Sequence, residues 1–183
     1  MKKENLIKLG TIATLAIAGM VVLNGCSVKV PTNVTAVNNF DVNKYAGKWY
    51  EIARFDFKYE KNMSNVTAEY TLNDDGSIQV VNKGFNYEKN EWKTSKGKAK
   101  LNNKENNGAL KVSFFGPFYS GYNVVAMDPA YETALVFGES TDYLWILSRE
   151  KTIPENTKEK FLEEAKKAGY DLSRLVWTKH DIK

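Results

Sequence analysis

Residue types that build many active sites are scarce in this chain of 183 residues. It contains one cysteine, Cys26, and one histidine, His180. A single cysteine excludes an internal disulfide and a cysteine-rich metal site, and a single histidine makes Ser-His-Asp, Cys-His and multi-histidine metal chemistry hard to assemble. We therefore predict no catalytic residues, no metal and no cofactor. His180, the fourth residue from the C-terminal end, is expected to be a solvated tail residue.

The chain also lacks a strong excess of charge of either sign. Lys and Arg number 26 against 22 Asp and Glu, for a net charge of +4. Without the first 25 residues, 23 basic and 21 acidic side chains remain, and the net charge falls to +2. There is no polybasic block and no RNA-binding aromatic motif. A charge so near zero gives no electrostatic reason to expect nucleic acid as a partner.

Residues 1–25 resemble a bacterial lipoprotein signal peptide that is cleaved. A basic leader precedes an apolar run from Leu9 to Leu23, which is too short for a comfortable membrane span and typical of a signal-peptide hydrophobic region. The run ends in Leu23-Asn24-Gly25-Cys26. This end resembles the lipobox, in which the cysteine is acylated and becomes the mature N-terminus. An ordinary signal peptide with an incidental cysteine is the alternative.

Acylation of Cys26 predicts how the protein is held at a membrane. Two or three acyl chains anchor stably, at about 0.8 kcal/mol per buried CH₂. By resemblance to lipoprotein sorting, Ser27 after the cysteine favours the outer membrane of a bacterium that has two membranes. In a source with one membrane the location would be the outer face of the plasma membrane. Residues 26–38 are predicted to be a polar, lipidated tether.

Residues 39–183 are predicted to form one all-β domain with a C-terminal helix. Hydrophobic residues make up 43% of the chain and aromatic residues 13%, which is enough for a sizeable core. Extended runs alternate with turn signals such as Asp75-Gly76, as in a β-sandwich or barrel. Since no helix intervenes, the strands should meander as antiparallel neighbours. The runs are residues 49–57, 65–72, 77–82, 91–101, 109–115, 119–127, 133–137 and 143–148.

The predicted helix follows the eighth run. Thr152 and Glu155 fit a capping box at its start, and Gly169 is expected to end it. An apolar stripe should pack on the outside of the barrel, and residues 175–177 should form a short last strand. The stripe consists of Phe161, Ala165 and Ala168.

Three segments occur in order along the chain: Gly47-Lys48-Trp49-Tyr50 at the first run, Thr141-Asp142-Tyr143 before the last barrel run, and Arg149 after it. They resemble the motifs of the lipocalin family, and specifically of the bacterial outer-membrane lipoprotein lipocalins related to apolipoprotein D. The resemblance covers about residues 37–177. It implies an eight-stranded antiparallel up-and-down β-barrel with one C-terminal α-helix packed outside. It also implies that Arg149 lies over the ring of Trp49 at a closed base, as structural rather than catalytic residues. The motif residues are Gly47, Trp49, Thr141, Asp142, Tyr143 and Arg149.

The interior of such a barrel is where a ligand is expected, because eight strands enclose room for one small molecule. Residues two apart on a strand share a face, so Trp145 is predicted to point inward and Tyr70 to share a face with its alternate neighbours. Phe114, Tyr119 and Tyr122 are further candidates for the cavity wall. These aromatic side chains could instead fill the barrel or coat its outside. The candidate donors for a polar head group are Arg54, Lys58 and Lys83.

The resemblance implies a membrane-anchored lipocalin that binds and carries fatty acids or lysophospholipids in the cell envelope, for lipid storage, repair or transport. No enzymatic activity is expected, since no nucleophile and base are assembled. Two alternatives stay open: an enzyme acting on a hydrophobic substrate inside the barrel, and a carrier of a bilin-like chromophore. The sequence also leaves a homodimer open.

Overall fold

A computed structural model describes residues 34–102 and 107–182. The predicted signal peptide and Cys26 lie outside these residues. The described part consists of one nine-stranded antiparallel sheet, two α-helices and a short 3-10 turn, Leu172–Arg174. The strands are β1 (Gly47–Phe55), β2 (Met63–Leu72), β3 (Ile78–Asn86), β4 (Glu91–Leu101), β5 (Ala109–Phe115), β6 (Phe118–Met127), β7 (Thr133–Phe137), β8 (Leu144–Ser148) and β9 (Leu175–Trp177). The helices are α1 (Val42–Tyr45) and α2 (Glu155–Lys167).

Strands β1 to β8 follow one another as a meander that closes on itself. Each strand pairs with its neighbour in sequence, β8 returns to β1, and β1 also pairs with β2 through residues 47–50. The predicted eight-stranded antiparallel barrel is thereby confirmed. Strand β9 adds to residues 53–55 of β1, where β2 no longer pairs with it.

The two ends of the barrel differ. The connections β1–β2 (residues 56–62), β3–β4 (87–90), β5–β6 (116–117) and β7–β8 (138–143) lie together at one end, here called the mouth. Helix α1 lies at the other end, the base, just before β1 begins. Among the described residues no helix is long and apolar enough to cross a membrane.

The C-terminal tail completes the wall between β1 and β2. Thr178 N donates to Ile52 O at 2.9 Å, and Asn65 N donates to Lys179 O at 2.7 Å. The tail thus satisfies backbone groups on both strands at the level where they separate. This contribution to closure was not predicted from the sequence.

The tail also changes the role of His180. Its Nε2 lies 2.7 Å from the carbonyl oxygen of Glu51, and its ring packs edge-on against Tyr50 with centroids 5.4 Å apart. The side chain is half-buried. The expectation of a solvated tail residue was therefore wrong, because the tail is held in place by the two strands that it joins.

Helix α2 covers the outside of the barrel, as predicted. Phe161 and Ala165 are buried against outward-facing residues that include Leu135 and Phe137, in a core separate from the one inside the barrel. The predicted capping box is wrong, because the helix begins at Glu155 after Pro154 and no side chain caps it. Gly169, with φ +86°, follows the helix end as expected.

The stretch before β1 is more structured than the predicted tether. Ala36 is buried, Val37 N donates to Val124 O at 2.9 Å, and Asn38 forms an antiparallel bridge with Asn107. Residues 34–38 therefore belong to the barrel domain and are not a free polar linker. Helix α1 was likewise not predicted.

Candidate ligand cavity

The base is closed by a plug around Trp49, which is fully buried. Its Nε1 donates to Tyr45 O at 2.8 Å, and the guanidinium carbon of Arg149 lies 3.9 Å from the centre of its ring. Gly47 has φ +95°, a conformation that favours glycine and brings the chain under the guanidinium. Arg149 donates to the carbonyl oxygens of Lys48 at 2.8 Å, Lys44 at 2.8 Å and Ala46 at 2.9 Å.

Above this plug lies a cavity of about 280 Å³ that opens at the mouth. A second lobe of about 270 Å³ adjoins it and shares Phe57, Tyr59 and Glu60 as lining residues. Aliphatic side chains make up much of the main lobe's wall, so the space suits an apolar ligand. They include Val66, Ala68, Val80, Leu110, Val112 and Leu147.

Four of the five aromatic residues predicted for the cavity line it: Tyr70, Phe114, Tyr122 and Trp145. Tyr119 does not line the cavity, so the expectation that it would was wrong. Tyr119 and Tyr122 are three residues apart on β6, and side chains alternate along a strand, so the two rings face opposite sides of the wall. The Tyr119 ring instead lies 5.6 Å from Lys111 Nζ.

Three tyrosine hydroxyls form a chain at the cavity floor. Tyr122 Oη lies 2.6 Å from Tyr45 Oη and 2.8 Å from Tyr70 Oη. Burial is the main cause that raises the pKa of all three phenols, so they stay neutral at physiological pH. The floor therefore joins the cavity to the base plug through Tyr45, whose importance was not predicted.

A second polar group, also missed from the sequence, lies near the mouth. Trp145 Nε1 donates to Glu60 Oε2 at 3.0 Å. No ion pair joins Glu60 to a basic side chain within the described residues. Burial, followed by the nearby Glu51 carboxylate, raises the pKa of Glu60 to about 8. Glu60 is thus largely protonated at neutral pH and presents a carboxylic acid to the cavity.

Arg54 does not serve as a free donor for a head group. It is almost fully buried, and its Nη1 donates to Glu51 Oε1 at 2.8 Å. Its Nη2 donates to Asp56 Oδ1 at 3.0 Å and to Glu60 O at 2.8 Å. Since the guanidinium already has these partners, Arg54 is not free to bind a head group, and the expectation that it could donate to one was wrong.

The two candidate lysines occupy different positions. Lys83 lines the second lobe, with its Nζ 4.6 Å from the centre of the Trp92 ring. Lys58 is exposed, and its Nζ lies 5.7 Å from the centre of the Tyr59 ring at the mouth. Of these two candidates, Lys83 is the one among the lining residues of a lobe, which Lys93 and Lys96 also line.

The motif residues before β8 lie at the mouth, at the opposite end from Trp49. Thr141 and Asp142 are exposed, and Asp142 Oδ1 accepts from Arg174 Nη1 at 3.0 Å. Tyr143 lines the cavity, and its ring stacks on Trp145 with an interplanar angle of 13°. Tyr143 therefore belongs to the cavity wall as well as to the motif.

Two further residues with polar side chains line the cavity at this end. The side-chain oxygen of Asn82 is buried without a hydrogen-bond partner among the described residues, and Asn82 lines both lobes. Glu51 also lines the main lobe. Strand alternation from Trp49 would have predicted that Glu51 points inward, whereas Glu60 lies in a connection where no such pattern applies.

An antiparallel barrel with a closed base, an apolar interior and an outer C-terminal helix defines the lipocalin class. The model of the lipocalin-like domain matches residues 40–180, and the chain belongs to this family. It is 47% identical over 171 residues to the outer membrane lipoprotein Blc of Escherichia coli (strain K12), covering 93% of this chain and 97% of that one. It is 48% identical over 158 residues to the Blc of Vibrio cholerae, covering 86% and 92%.

More distant likenesses agree with this family. The chain is 33% identical over 150 residues to mouse apolipoprotein D, covering 76% of this chain and 77% of that one. Insecticyanin from the tobacco hornworm has a similar solved structure, with a TM-score of 0.65, 22% identity and coverage of 82% and 86%. This last likeness concerns the fold alone. The bacterial relatives support the predicted localisation, a lipid-anchored protein of the outer membrane.

Proposed function

We propose that this protein binds and carries single-chain lipids, fatty acids or lysophospholipids, in the bacterial envelope, for lipid storage, repair or transport. The observation that carries the proposal is the cavity, which is apolar along its walls, closed at the base by Trp49 and Arg149 and open at the mouth. Carrying a lipid requires no group of residues assembled for catalysis.

The energetics are adequate for a carrier. Burying about fifteen methylene groups at ~0.8 kcal/mol each yields roughly 12 kcal/mol before association costs of several kcal/mol, which corresponds to micromolar to nanomolar binding. The acyl chain would contact Val66, Val80 and Leu147, which line the cavity between the floor and the mouth. Affinity then comes mainly from the acyl chain and selectivity from the polar groups near the mouth.

Glu60 is the polar group that we expect to meet the head group. In its protonated form it donates a hydrogen bond to a carboxylate or phosphate oxygen, and in its ionised form it attracts an ammonium group. Trp145 holds one of its oxygens at 3.0 Å and leaves the other for the ligand. Lys83, on the second lobe, is a further partner for an anionic head.

Acylated Cys26 is proposed as the membrane anchor. It lies eight residues before Val34, so the described barrel begins within a short reach of the membrane surface. The apolar run that precedes the cysteine supplies the signal for export.

Native mass spectrometry of the full-length protein, extracted gently from its own membrane, tests the proposal. We expect a co-purified fatty acid or lysophospholipid. Ala68→Trp should remove it by filling the cavity, whereas Glu69→Trp, on the exposed face of the same strand, should retain it. A bound chromophore that absorbs visible light, or equal lipid content in both variants, would contradict the proposal.

A further inference from the structure

Exposed aromatic side chains gather at the mouth. Tyr59, Phe115 and Phe118 are 63%, 65% and 78% exposed, although residues of this kind bury large apolar areas when they find a partner. Tyr87 and Trp92, beside the β3–β4 connection, are exposed as well. Half of the large hydrophobic residues that the described chain exposes are therefore aromatic residues at this one end.

These rings belong to one surface, which we call the aromatic rim and define as Tyr59, Phe115 and Phe118. Tyr59 comes from the β1–β2 connection and Phe115 from the end of β5, and their ring centres are 5.5 Å apart. All three residues also line the cavity. Whatever covers the rim therefore meets the opening through which a ligand enters.

The connections at the mouth are slightly negative, and three lysines, Lys83, Lys93 and Lys96, line the second lobe beside them. The four mouth connections carry three lysines against five acidic residues. They therefore supply no electrostatic attraction to anionic lipid. Contact with a membrane at this end would rest on the aromatic rings, which are the side chains enriched at the interface between lipid and water.

The chain before the barrel points toward the same end. The bridge between Asn38 and Asn107 is antiparallel, and the chain at Asn107 leads into β5, which runs from base to mouth. Residues 34–38 therefore run from mouth to base, and Val34 lies on the mouth side of Asn38. Eight steps of the chain separate Cys26 from Val34, which allows a reach of up to about 28 Å.

We propose that the aromatic rim docks into the lipid–water interface of the bilayer, so that the barrel stands mouth-down on the membrane that anchors it. A single-chain lipid then passes between bilayer and cavity without crossing bulk water. The contact depends on the aromatic rings and requires neither anionic lipid nor low salt. The proposal holds whichever ligand occupies the cavity.

Spin labels on the full-length acylated protein, reconstituted in phosphatidylcholine vesicles, test the orientation. Cys26 is the only native cysteine, and its acylation leaves a single introduced cysteine for the label. Phe118→Cys places the label on the rim, and Leu72→Cys places it at an exposed site at the base. Collision rates with oxygen, which enriches in lipid, and with a water-soluble nickel chelate report the depth of each label.

We expect the label at position 118 to be accessible to oxygen and protected from the chelate, and the label at position 72 to show the reverse. Adding Tyr59→Ser and Phe115→Ser should lower the docked-to-undocked ratio at least about tenfold. High salt or added anionic lipid should leave the ratio unchanged. Equal exposure of both labels to the chelate would overturn the proposal. So would docking that needs anionic lipid, or spin–spin broadening at position 118 that reveals a second copy of the chain as the occupant.

Discussion

Glu60 should make the binding of fatty acids depend on pH. With a pKa of about 8, its carboxyl group is about 1% ionised at pH 6 and about 90% ionised at pH 9. A fatty acid carboxylate is ionised throughout this range. If only protonated Glu60 accepts the anionic head, the apparent affinity should fall about tenfold from pH 6 to pH 9, with the break near pH 8.

Displacement of a fluorescent polyene fatty acid measures this change. Glu60→Gln keeps a neutral donor at all pH values, so its affinity should stay nearly flat over the same range. A lysophosphatidylcholine carries a permanent positive charge, and its affinity for the native protein should hold or rise as Glu60 ionises. A flat profile for the native protein, or the same slope in Glu60→Gln, would refute the assignment of Glu60 to the head group.

Stability offers an independent readout of the same group. Because the pKa of Glu60 is raised from its ordinary value of 4.5 to about 8, the folded protein binds a proton that the unfolded chain releases. This favourable contribution is fully present below pH 4.5 and is lost as the pH rises through 8. The melting temperature of the native protein should therefore fall relative to that of Glu60→Gln between pH 6 and pH 9. A constant difference would contradict the raised pKa.

Three further substitutions separate structure from binding. Arg149→Met should cost about 3–5 kcal/mol in urea unfolding, since it removes the stack on the plug and several bonds to carbonyl oxygens, while Arg174→Met should cost below ~1 kcal/mol. Equal losses would contradict the role of the base. Tyr122→Phe should cost about 1–3 kcal/mol by leaving two buried hydroxyls without their shared partner, and an unchanged unfolding midpoint would count against that chain. Trp145→Phe removes a hydrogen bond that lowers the pKa of Glu60, so the break in fatty acid affinity should move to higher pH, and an unmoved break would exclude this coupling.

Local patterns predicted the barrel because each strand has its own signal. Side-chain alternation and turn residues such as Asp75-Gly76 mark the strands, and the observed bounds differ from the predicted ones by a few residues. The inward direction of Trp145 follows from the same alternation. Helix α1 has only four residues, and its main signal is Asp41, whose side chain accepts from Asn43 N and Lys44 N. Such a short pattern is common in loops.

Departures from alternation explain much of what the sequence could not predict. The register of β1 against β8 shifts between Glu51 and Ala53, so Arg54 turns toward Glu51 instead of away from it. The position of Glu60 depends on how the β1–β2 connection folds over Trp145, which is 85 residues away in the chain. Contacts of this kind arise from the tertiary structure and leave no periodic trace in the sequence.

The ends of the barrel divide stability from function for a physical reason. At the base, the donors of Arg149 meet backbone carbonyl oxygens and the indole of Trp49 has its own acceptor, so few polar groups there are left for a ligand. At the mouth, the side-chain oxygen of Asn82 has no hydrogen-bond partner, and the half-buried Glu60 forms no ion pair with a basic side chain within the described chain. Unpaired buried polar groups are costly, and a bound head group that carries a hydrogen-bond donor would relieve that cost at Asn82. Substitutions at the base should therefore alter unfolding with little change in ligand selectivity, whereas substitutions at the mouth should alter selectivity first.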